Sequence, residues 1–305
     1  MGTNWVSSTI AGKAGSRGSV DGTNSVARFS GPNDIALDSA GSLFVMGFDD
    51  STIRKLTPVG TDWVTTTIAG KAGATGNADG TNSTIRFKGP YGLAMNLAGN
   101  IYVPDTGNHT IRQLTSDGTN WVSSTIAGKA GTAGNANGTN SVARFRSLND
   151  VAVDRAGTLY VADTDNNLIR KITPVGSDWV TTTIGGKASA AGSADGTNSV
   201  ARFNSPVSLA VDSAGNVYVS EMNHTIRMGV PLPRFQSVTP ANDHVELLVN
   251  AAPGQTVQLQ YSSDLASAIW TNLGNPITAT DGTISATDTP GPDQPRFYRA
   301  IVVLP

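Results

Sequence analysis

The chain is dominated by a repeat with a period of 58 residues. Four of its five tryptophans recur at this interval, and each is followed by valine: Trp5, Trp63, Trp121 and Trp179. Arg-Phe pairs keep the same spacing at Arg28-Phe29, Arg86-Phe87, Arg144-Phe145 and Arg202-Phe203. A fixed period of this kind indicates copies of one supersecondary unit that bury their apolar faces against each other. The pattern ends near Pro231.

Each copy of the repeat predicts four short β-strands. Its apolar residues alternate or run in short blocks bounded by turn residues, and they keep no helical period over three turns. Asp154 and Gly157 suit the two ends of a type I turn between the first two strands of the third copy. The predicted strands of that copy are 150–154, 159–163, 168–173 and 178–184. Tandem four-stranded units are the plan of a β-propeller, so we predict an all-β fold.

The phase of the repeat predicts how the propeller closes. The chain opens with the last strand of a unit, Trp5–Ile10, while the fourth copy supplies only three strands, within Ser208–Arg227. We therefore predict a four-bladed propeller in which the N-terminal strand completes the last blade. Two alternatives stay open: the chain is a fragment of a larger propeller, or two copies join into one eight-bladed ring.

Several short motifs in the copies resemble the NHL repeat of bacterial β-propellers. They occur in ARFNSPVSLAVDSAGNVYVSEMNHTIR, residues 201–227, and in TIAGKAG, residues 125–131. The copies depart from the pattern at Leu148, where others have proline, and at Gly47, where others have an acid. The resemblance covers residues 1–230 and implies a bacterial NHL-type propeller domain. It also implies relatives that commonly have six blades and include lyases and lactone hydrolases.

The composition changes after residue 230. Residues 235–305 contain two arginines, no lysine and six acids. We expect 231–234 to be a Pro-rich linker and 235–305 to be a separate domain. Alternating runs between turn residues predict strands at 245–249, 256–261, 269–273, 283–287 and 297–303. The domain resembles a small β-sandwich of the fibronectin or immunoglobulin-like kind, with Trp270 in its core.

Composition and charge exclude several classes of protein. The chain has no cysteine, which removes disulfide frameworks, thiol nucleophiles and cysteine-ligated zinc. Its 21 basic and 23 acidic residues create no strong field for nucleic acid or an anionic membrane. No run approaches the roughly 18 apolar residues of a membrane span. We therefore expect a soluble protein without a nucleic-acid partner.

The expected location is extracellular or periplasmic. Strands rich in Thr, Ser and Asn, followed by a sandwich, suit an exported bacterial protein. The first residues lack the basic and apolar regions of a signal peptide, so export requires a signal upstream of this chain. We expect a monomer, with a dimer as the alternative.

Motifs for catalysis are sparse. The sequence has neither a G-x-S-x-G elbow nor an H-E-x-x-H pair. Repeated Gly-Lys pairs are followed by alanine, where a phosphate loop needs serine or threonine. His109 and His224 occupy similar turn positions without further histidines to complete a zinc centre, and we interpret them as solvated turn residues.

The arginines of the Arg-Phe pairs form the first candidate site. Their equal spacing would place them around one mouth of the propeller, where they can clamp an anion such as a carboxylate or sulfate. In the alternative interpretation, each arginine bonds the neighbouring Asp-Gly-Thr loop and each phenylalanine fills the gap between blades. The four residues are Arg28, Arg86, Arg144 and Arg202.

The innermost predicted strand carries the second candidate site. Side chains two residues apart share a face, which puts Asp34 and Ala36 together. The equivalents of Asp34 are Gly92, Asp150 and Ser208. If this face lines the central channel, Asp34 and Asp150 face each other and can bind calcium or another hard cation through oxygen ligands. Alternatively, both carboxylates bond backbone amides at strand starts.

Positions that differ between copies are the best candidates for ligand contact. Asn33, Tyr91, Asn149 and Val207 precede the inner strands and should surround the mouth of the channel. We expect Asn33, Tyr91 and Asn149 to touch a ligand, although Tyr91 can instead pack against a neighbouring loop.

These features favour a non-catalytic binding or scaffold propeller. Its loop face would be presented to a protein, peptide or glycan, which needs nothing that the sequence lacks. The alternative is a lyase or lactone hydrolase related to six-bladed enzymes, and its chemistry would depend on Asp34 and Asp150.

Overall fold

A computed structural model describes residues 4–266, 269–291 and 294–303. Strands and short 3-10 turns form its regular structure, and no helix in these ranges is long and apolar enough to cross a membrane. The chain divides into two compact units. The first extends to Ala210 and includes Tyr218–Arg227, and the second combines Val211–Val217 with the chain from Met228 onward.

Each of the first three copies forms a five-stranded antiparallel sheet. The first sheet contains β1 (Gly22–Thr23), β2 (Pro32–Leu37), β3 (Leu43–Gly47), β4 (Thr52–Val59) and β5 (Asp62–Gly70). The second contains β6 (Gly80–Thr81), β7 (Ala94–Met95), β8 (Ile101–Asp105), β9 (Thr110–Ser116) and β10 (Trp121–Gly128). The third contains β11 (Gly138–Thr139), β12 (Leu148–Val153), β13 (Leu159–Asp163), β14 (Leu168–Val175) and β15 (Asp178–Gly186). The order in the first sheet is β1-β5-β4-β3-β2, and the other two follow it.

The outermost strand of each sheet corrects the prediction of four strands per copy. Gly22 of the Asp-Gly-Thr motif pairs with Thr65 of β5, and β6 and β11 pair with β10 and β15 in the same way. The carboxylate of Asp21 accepts hydrogen bonds from the backbone N and the hydroxyl of Thr67. This side chain therefore anchors the long polar loop to the outer edge of the sheet.

The fourth copy forms a three-stranded sheet, in the order β16-β17-β18. Its strands are β16 (Pro206–Val211), β17 (Val217–Glu221) and β18 (Ile226–Gly229). The prediction that Trp5–Ile10 closes this sheet is wrong for this structure, because the segment forms no strand and Trp5 is 97% exposed. Such a closure would pair segments from the two ends of the repeat array. Local sequence does not determine whether two segments so far apart in the chain meet.

Neighbouring sheets pack against each other through apolar clusters. One cluster around Phe44 contains side chains of the first and second sheets, and another around Tyr102 joins the second and third. The repeated tryptophans seal these clusters. Trp121 meets Phe44 edge to face at 5.5 Å, and Trp179 meets Tyr102 at 5.8 Å. This packing brings the starts of the inner strands together.

The second unit contains two antiparallel sheets. One has the order β19-β20-β24, and the other pairs β21 with β22, β23 and β25. The strands are β19 (Arg234–Pro240), β20 (Val245–Asn250), β21 (Thr256–Ser262), β22 (Thr271–Asn272), β23 (Ile277–Thr278), β24 (Thr283–Asp288) and β25 (Phe297–Val302). Val249, Leu259 and Ile284 belong to one apolar core to which both sheets contribute. The sequence did not predict β19 or β23, and β22 is shorter than its predicted range.

Two features of the second unit differ from expectation. Trp270 lies outside the apolar core and is half-buried, with the Arg299 guanidinium 4.4 Å above its ring. The expected linker is tied to the unit, because Nε2 of Gln255 donates to the carbonyl oxygen of Pro231 at 2.6 Å and β19 begins at Arg234.

Candidate functional site

The starts of the four inner strands line one cavity of about 220 Å3. Each copy of the repeat contributes two consecutive residues to its wall. These are Asn33, Asp34, Tyr91, Gly92, Asn149, Asp150, Val207 and Ser208. The sequence predicted that these positions face the channel or its mouth, and the structure brings them together. Ligand binding by them stays a prediction.

Asp34 links the first sheet to the second at the cavity wall. Its Oδ1 accepts a hydrogen bond from Ile35 N at 2.7 Å, which fixes the start of its own strand. Its Oδ2 accepts from Leu93 N at 2.6 Å, and Leu93 belongs to the next copy.

Asp150 makes the same link between the third copy and the fourth. Its Oδ1 accepts from Val151 N at 2.8 Å. Its Oδ2 accepts from Leu209 N at 2.8 Å and from the Ser208 hydroxyl at 2.5 Å. A single carboxylate therefore satisfies two backbone amides and one hydroxyl at the junction of two copies.

Gly92 gives Asp150 the space that it occupies. A Cβ at Gly92 would lie 2.7 Å from Oδ1 of Asp150 and 3.0 Å from the carbonyl oxygen of Asn149. Glycine at this position of the second copy therefore allows the third copy to approach closely, which no larger residue would permit.

Burial raises the pKa values of both carboxyls above their usual range. For Asp34, hydrogen bonds from Leu93 and Ile35 oppose the effect of burial on the pKa. For Asp150, burial is again the largest cause, and the charge of Asp34 raises the pKa further. The two carboxyls therefore influence each other across the cavity, and protonation of one favours ionisation of the other.

A hard cation at this site would share oxygens that already accept hydrogen bonds. Both oxygens of Asp34 and of Asp150 accept at least one. Within the described ranges, no group of three or more His, Cys, Asp or Glu side chains is arranged to hold a metal. The observed contacts match the amide-bonding interpretation, and a bound cation stays a prediction.

The mouth residues have different surroundings. Asn33 Nδ2 donates to the carbonyl oxygen of Tyr91 at 2.7 Å. The Tyr91 ring packs edge to face on Phe48 at 5.5 Å, as the packing alternative expected. The Asn149 side chain has no hydrogen-bond partner among the residues that the structure describes, so its amide is available to a ligand.

The four arginines of the Arg-Phe pairs do not line the cavity. Nη1 of Arg28 donates to the carbonyl oxygens of Ser25, Val26 and Ala27, which form the adjacent 3-10 turn. Arg86, Arg144 and Arg202 cap the equivalent turns through their own Nη1 groups. These bonds give each arginine a local structural role, and anion binding by them stays a prediction.

Sequence reasoning missed a second series of arginines, which lie inside the sheets. They are Arg54, Arg112, Arg170 and Arg227. Arg170 is fully buried and donates to the carbonyl oxygens of Arg144 and Ala136 and to Oδ1 of Asn137. It thus ties the Arg-Phe segment and the Asp-Gly-Thr loop to its own sheet. The sequence signal that could have identified them is a charged residue that recurs inside an apolar strand.

A buried acid lies beside the arginine of this series in each copy except the first. Nη1 of Arg170 lies 2.7 Å from Oδ2 of Asp163, and Nη1 of Arg112 lies 3.1 Å from Oδ2 of Asp105. The first copy has Gly47 at this position. A Cβ there would lie 2.1 Å from Oδ1 of Asp50, so a carboxylate from three residues further along the chain fills the space.

The two repeated turn histidines are held in the left-handed backbone region. His109 has φ 59° and His224 has φ 69°. Nδ1 of His109 accepts a long hydrogen bond from Ser147 N at 3.4 Å, and burial lowers the pKa of His109. His109 is therefore partly packed rather than fully solvated, and neither histidine lines the cavity.

Comparison with known proteins supports a propeller-like β fold. Residues 145–172 match the NHL repeat family. No curated protein matches the chain.

Three solved structures are similar to parts of this chain. An auxiliary nutrient binding protein from Bacteroides ovatus has 19% identity, covers 67% of this chain and 49% of its own length, and gives a TM-score of 0.52. An auxiliary nutrient binding protein from Bacteroides thetaiotaomicron has 17% identity, the same coverages and a TM-score of 0.53. A gluconolactonase from Xanthomonas campestris has 13% identity, covers 67% of this chain and 58% of its own, and gives a TM-score of 0.41. This chain spans about half the length of the two Bacteroides structures, whose likeness shows the fold alone.

Proposed function

We propose that the repeat domain is a propeller-type binding module whose ligand enters the cavity at the starts of the inner strands. The observation that carries the proposal is the convergence of the variable positions of all four copies on this one cavity. The residues that repeat without change build the sheets, whereas neighbouring copies differ at the cavity wall. There the Asn-Asp pairs of the first and third copies alternate with Tyr91-Gly92 and Val207-Ser208. Binding specificity needs such differences, because identical copies offer a ligand only identical contacts.

The chemistry of the wall favours a ligand rich in hydrogen-bonding groups. Asn33, Asn149 and Ser208 supply amides and a hydroxyl, and Tyr91 adds a ring at the mouth. We propose that the ligand is the exposed part of a glycan, peptide or protein. The Bacteroides structures carry the name auxiliary nutrient binding protein, which makes free sugars and short peptides the first probes.

The test is titration calorimetry with a panel of monosaccharides, oligosaccharides and short peptides. A probe that binds the wild type should lose at least tenfold in affinity with the Asn33→Ala/Asn149→Ala double variant. The matched control is Asn77→Ala/Asn135→Ala, which removes two exposed asparagines at equivalent loop positions outside the cavity. Equal affinity in both double variants would place the ligand elsewhere.

The same titrations test the hypothesis that the arginines of the Arg-Phe pairs bind an anion. We expect Arg28→Gln and Arg202→Gln to leave the affinity of the probe unchanged, because neither residue lines the cavity. A loss of affinity for anionic probes alone would indicate that the arginines form an anion-binding site.

Lactone hydrolysis is the second candidate function. The observation in its favour is the pair of carboxyls with raised pKa values in one cavity, a feature common at sites of acid-base catalysis. A panel of lactones tests it. Turnover that disappears in Asp34→Asn/Asp150→Asn, with an unchanged circular dichroism spectrum, would make the protein an enzyme.

A cation between Asp34 and Asp150 is a further element of the proposal. Calcium bound there should raise the melting temperature of the wild type but not that of Asp34→Ala/Asp150→Ala. Equal calcium dependence of the two melting curves removes the cation from the proposal.

We also propose that the second unit is a fibronectin-like or immunoglobulin-like β-sandwich and that the protein works outside the cytoplasm. Two antiparallel sheets that share one apolar core support the first part. Immunoblotting of periplasmic and culture-medium fractions of the source bacterium tests the second, and an exclusively cytoplasmic signal would refute it.

A further inference from the structure

The cavity at the starts of the inner strands has negative charge in its wall. Among the described residues that line it, Asp34 and Asp150 are the only ones that ionise near neutral pH. The groups that donate hydrogen bonds to them are backbone amides and one hydroxyl, all of which are uncharged. The charge of Asp34 also acts on Asp150. Two like charges therefore influence each other at one cavity, and none of its described lining residues supplies a cation to balance them.

The wall also has hydrogen-bond acceptors to spare. A carboxylate accepts about four hydrogen bonds. Asp34 accepts two and Asp150 accepts three, so about three positions on the two carboxylates stay open. Two donors of the wall are already used within it, because the Ser208 hydroxyl donates to Asp150 and Asn33 Nδ2 donates to the carbonyl oxygen of Tyr91. A ligand that brings several donors and a positive charge would complement this wall.

A protonated amine meets these requirements with fewer wall oxygens than a metal ion does. Calcium takes about six to eight oxygen ligands. Within the described ranges, no group of three or more His, Cys, Asp or Glu side chains is arranged to hold a metal. A protonated primary amine has three N–H donors on one charged atom, so it can use the open positions while the carboxylates keep their bonds to the backbone. Such bonds between an ammonium and a carboxylate are charge-assisted and strong.

We propose, on the basis of the binding function proposed for this cavity, that its ligand carries a protonated primary amine that binds to Asp34 and Asp150. The amine donates hydrogen bonds to both carboxylates and to Oδ1 of Asn33. The rest of the ligand passes Tyr91 and Asn149 at the mouth. Amino sugars, peptide amino termini and lysine side chains all present this group, so the ligand can be of any of these three kinds.

Calorimetric titration with matched pairs of probes tests the proposal. Each pair has the same skeleton with and without the charge: glucosamine and glucose, a tri-alanine amide and its N-acetylated form, and a terminally blocked lysine and its norleucine analogue. The solutions are kept at about pH 6.5, where amino groups are protonated, and contain a chelator to remove divalent cations. In at least one pair, the charged member should bind at least about tenfold more tightly, because hydrogen bonds between charged groups are the stronger ones. The pair that shows this preference identifies the source of the amine.

Two variants test whether the carboxylates cause the preference. Asp34→Asn and Asp150→Asn keep the size of the side chain and one acceptor oxygen but remove the charge. Each should lower the affinity for the amine probe at least about tenfold and leave the affinity for its neutral partner unchanged. The matched control is Asp178→Asn, at an exposed position outside the cavity, which should change neither affinity.

A measurement on the wild type keeps the test independent of how well these variants fold. Carbon-13 NMR of the aspartate carboxyl groups follows both side chains during a titration. The carboxyl signals of Asp34 and Asp150 should shift with the amine probe and not with its neutral partner, whereas that of Asp178 should stay in place. Unchanged signals for Asp34 and Asp150 while the amine binds would overturn the proposal.

The outcomes separate this proposal from the binding function of the cavity. Equal affinity for both members of every pair, lost in Asn33→Ala/Asn149→Ala, would overturn the amine and leave the binding function in place. A preference for the amine that persists in folded Asp34→Asn and Asp150→Asn would also overturn it. Binding of no probe at all would count against the amine and the binding function together.

Discussion

At the scale of single residues, the carboxylates of this protein act mainly as acceptors for backbone amides. Asp34 and Asp150 fix strand starts and join neighbouring copies. Asp21 fixes the Asp-Gly-Thr loop. The cavity wall is therefore held by the same side chains that a ligand would meet, and a substitution there changes stability as well as binding.

We expect Asp150→Ala to destabilise the repeat domain by about 2 to 3 kcal/mol, because two buried amides and one hydroxyl lose their acceptor. Asp34→Ala, which removes the acceptor of two amides, should cost less. Urea unfolding followed by tryptophan fluorescence measures both. Asp178→Ala, at an exposed position, is the control, and a loss of equal size there would contradict the expectation.

Stability should also depend on pH through Asp163. Burial raises the pKa of Asp163 to about 6, although Arg170 opposes it, from an ordinary value of 3.8. A raised folded-state pKa contributes stability that is complete below about pH 4 and is lost as the pH rises through about 6.

The Asp163→Asn variant has no titratable group at this position, so it should not lose this stability as the pH rises. Relative to wild type, the variant should therefore gain about 2 to 3 kcal/mol in free energy of unfolding between pH 4 and pH 7. Urea unfolding at several pH values measures the difference. A constant difference across this range would show that the carboxyl is not protonated near pH 5.

At the scale of elements, buried arginines hold each sheet to the loop and to the Arg-Phe segment of its copy. Arg170 has a fully buried acid as a partner, whereas Arg54 has Gly47 at the equivalent position. Arg54 instead pairs with Asp21, which is partly exposed, at 2.5 Å. The first and third sheets therefore provide a natural comparison of the same arginine with a partly exposed and with a fully buried ion-pair partner.

We expect Arg170→Met to cost about 3 to 5 kcal/mol, because it leaves the buried Asp163 without its cation. Arg54→Met should cost less, because water can solvate the released carboxylate of Asp21. Chemical denaturation of the two variants tests the order. Arg170→Met/Asp163→Asn should recover part of the loss, and no recovery would argue against an uncompensated charge.

At the scale of the whole molecule, local stability should be lower where the last strand of a sheet has no neighbouring strand. In repeat proteins each unit is stabilised chiefly by adjacent units, so incomplete ends open first. The second sheet has a strand on both sides of β9, whereas the described part of the fourth sheet leaves one side of β18 open.

In a variant that lacks residues 1–12, amides of β18 should exchange with solvent at least tenfold faster than those of β9. Hydrogen exchange read by mass spectrometry measures both strands in one experiment. Amides of β4 and β14, each between two strands, should exchange as slowly as those of β9. Equal protection of β18 would show that its edge is covered by some other part of the molecule.

Much of this architecture could be predicted from the repeat. Its phase predicted the strands of each copy and the positions that line the cavity, because period and alternation report which face a residue occupies. The two-residue strand at Gly22 and the fold-back of the Asp-Gly-Thr loop could not be predicted. Each depends on hydrogen bonds between segments far apart in sequence, and a two-residue strand has no periodicity. The free segment at Trp5 was misjudged for the same reason, since sequence shows which strand a segment can form but not whether a partner is beside it.

The fit of Gly92 against Asp150 has a consequence for how such a chain can evolve. Copies that carry the inner-strand acid alternate with copies that do not, since Gly92 and Ser208 stand at the intervening positions. Duplication of a single acid-bearing copy would place two such copies side by side, with no glycine to admit the second carboxylate. Duplication of an acid-bearing copy together with its neighbour keeps the alternation, so we expect this chain to tolerate lengthening by two copies better than the duplication of one acid-bearing copy.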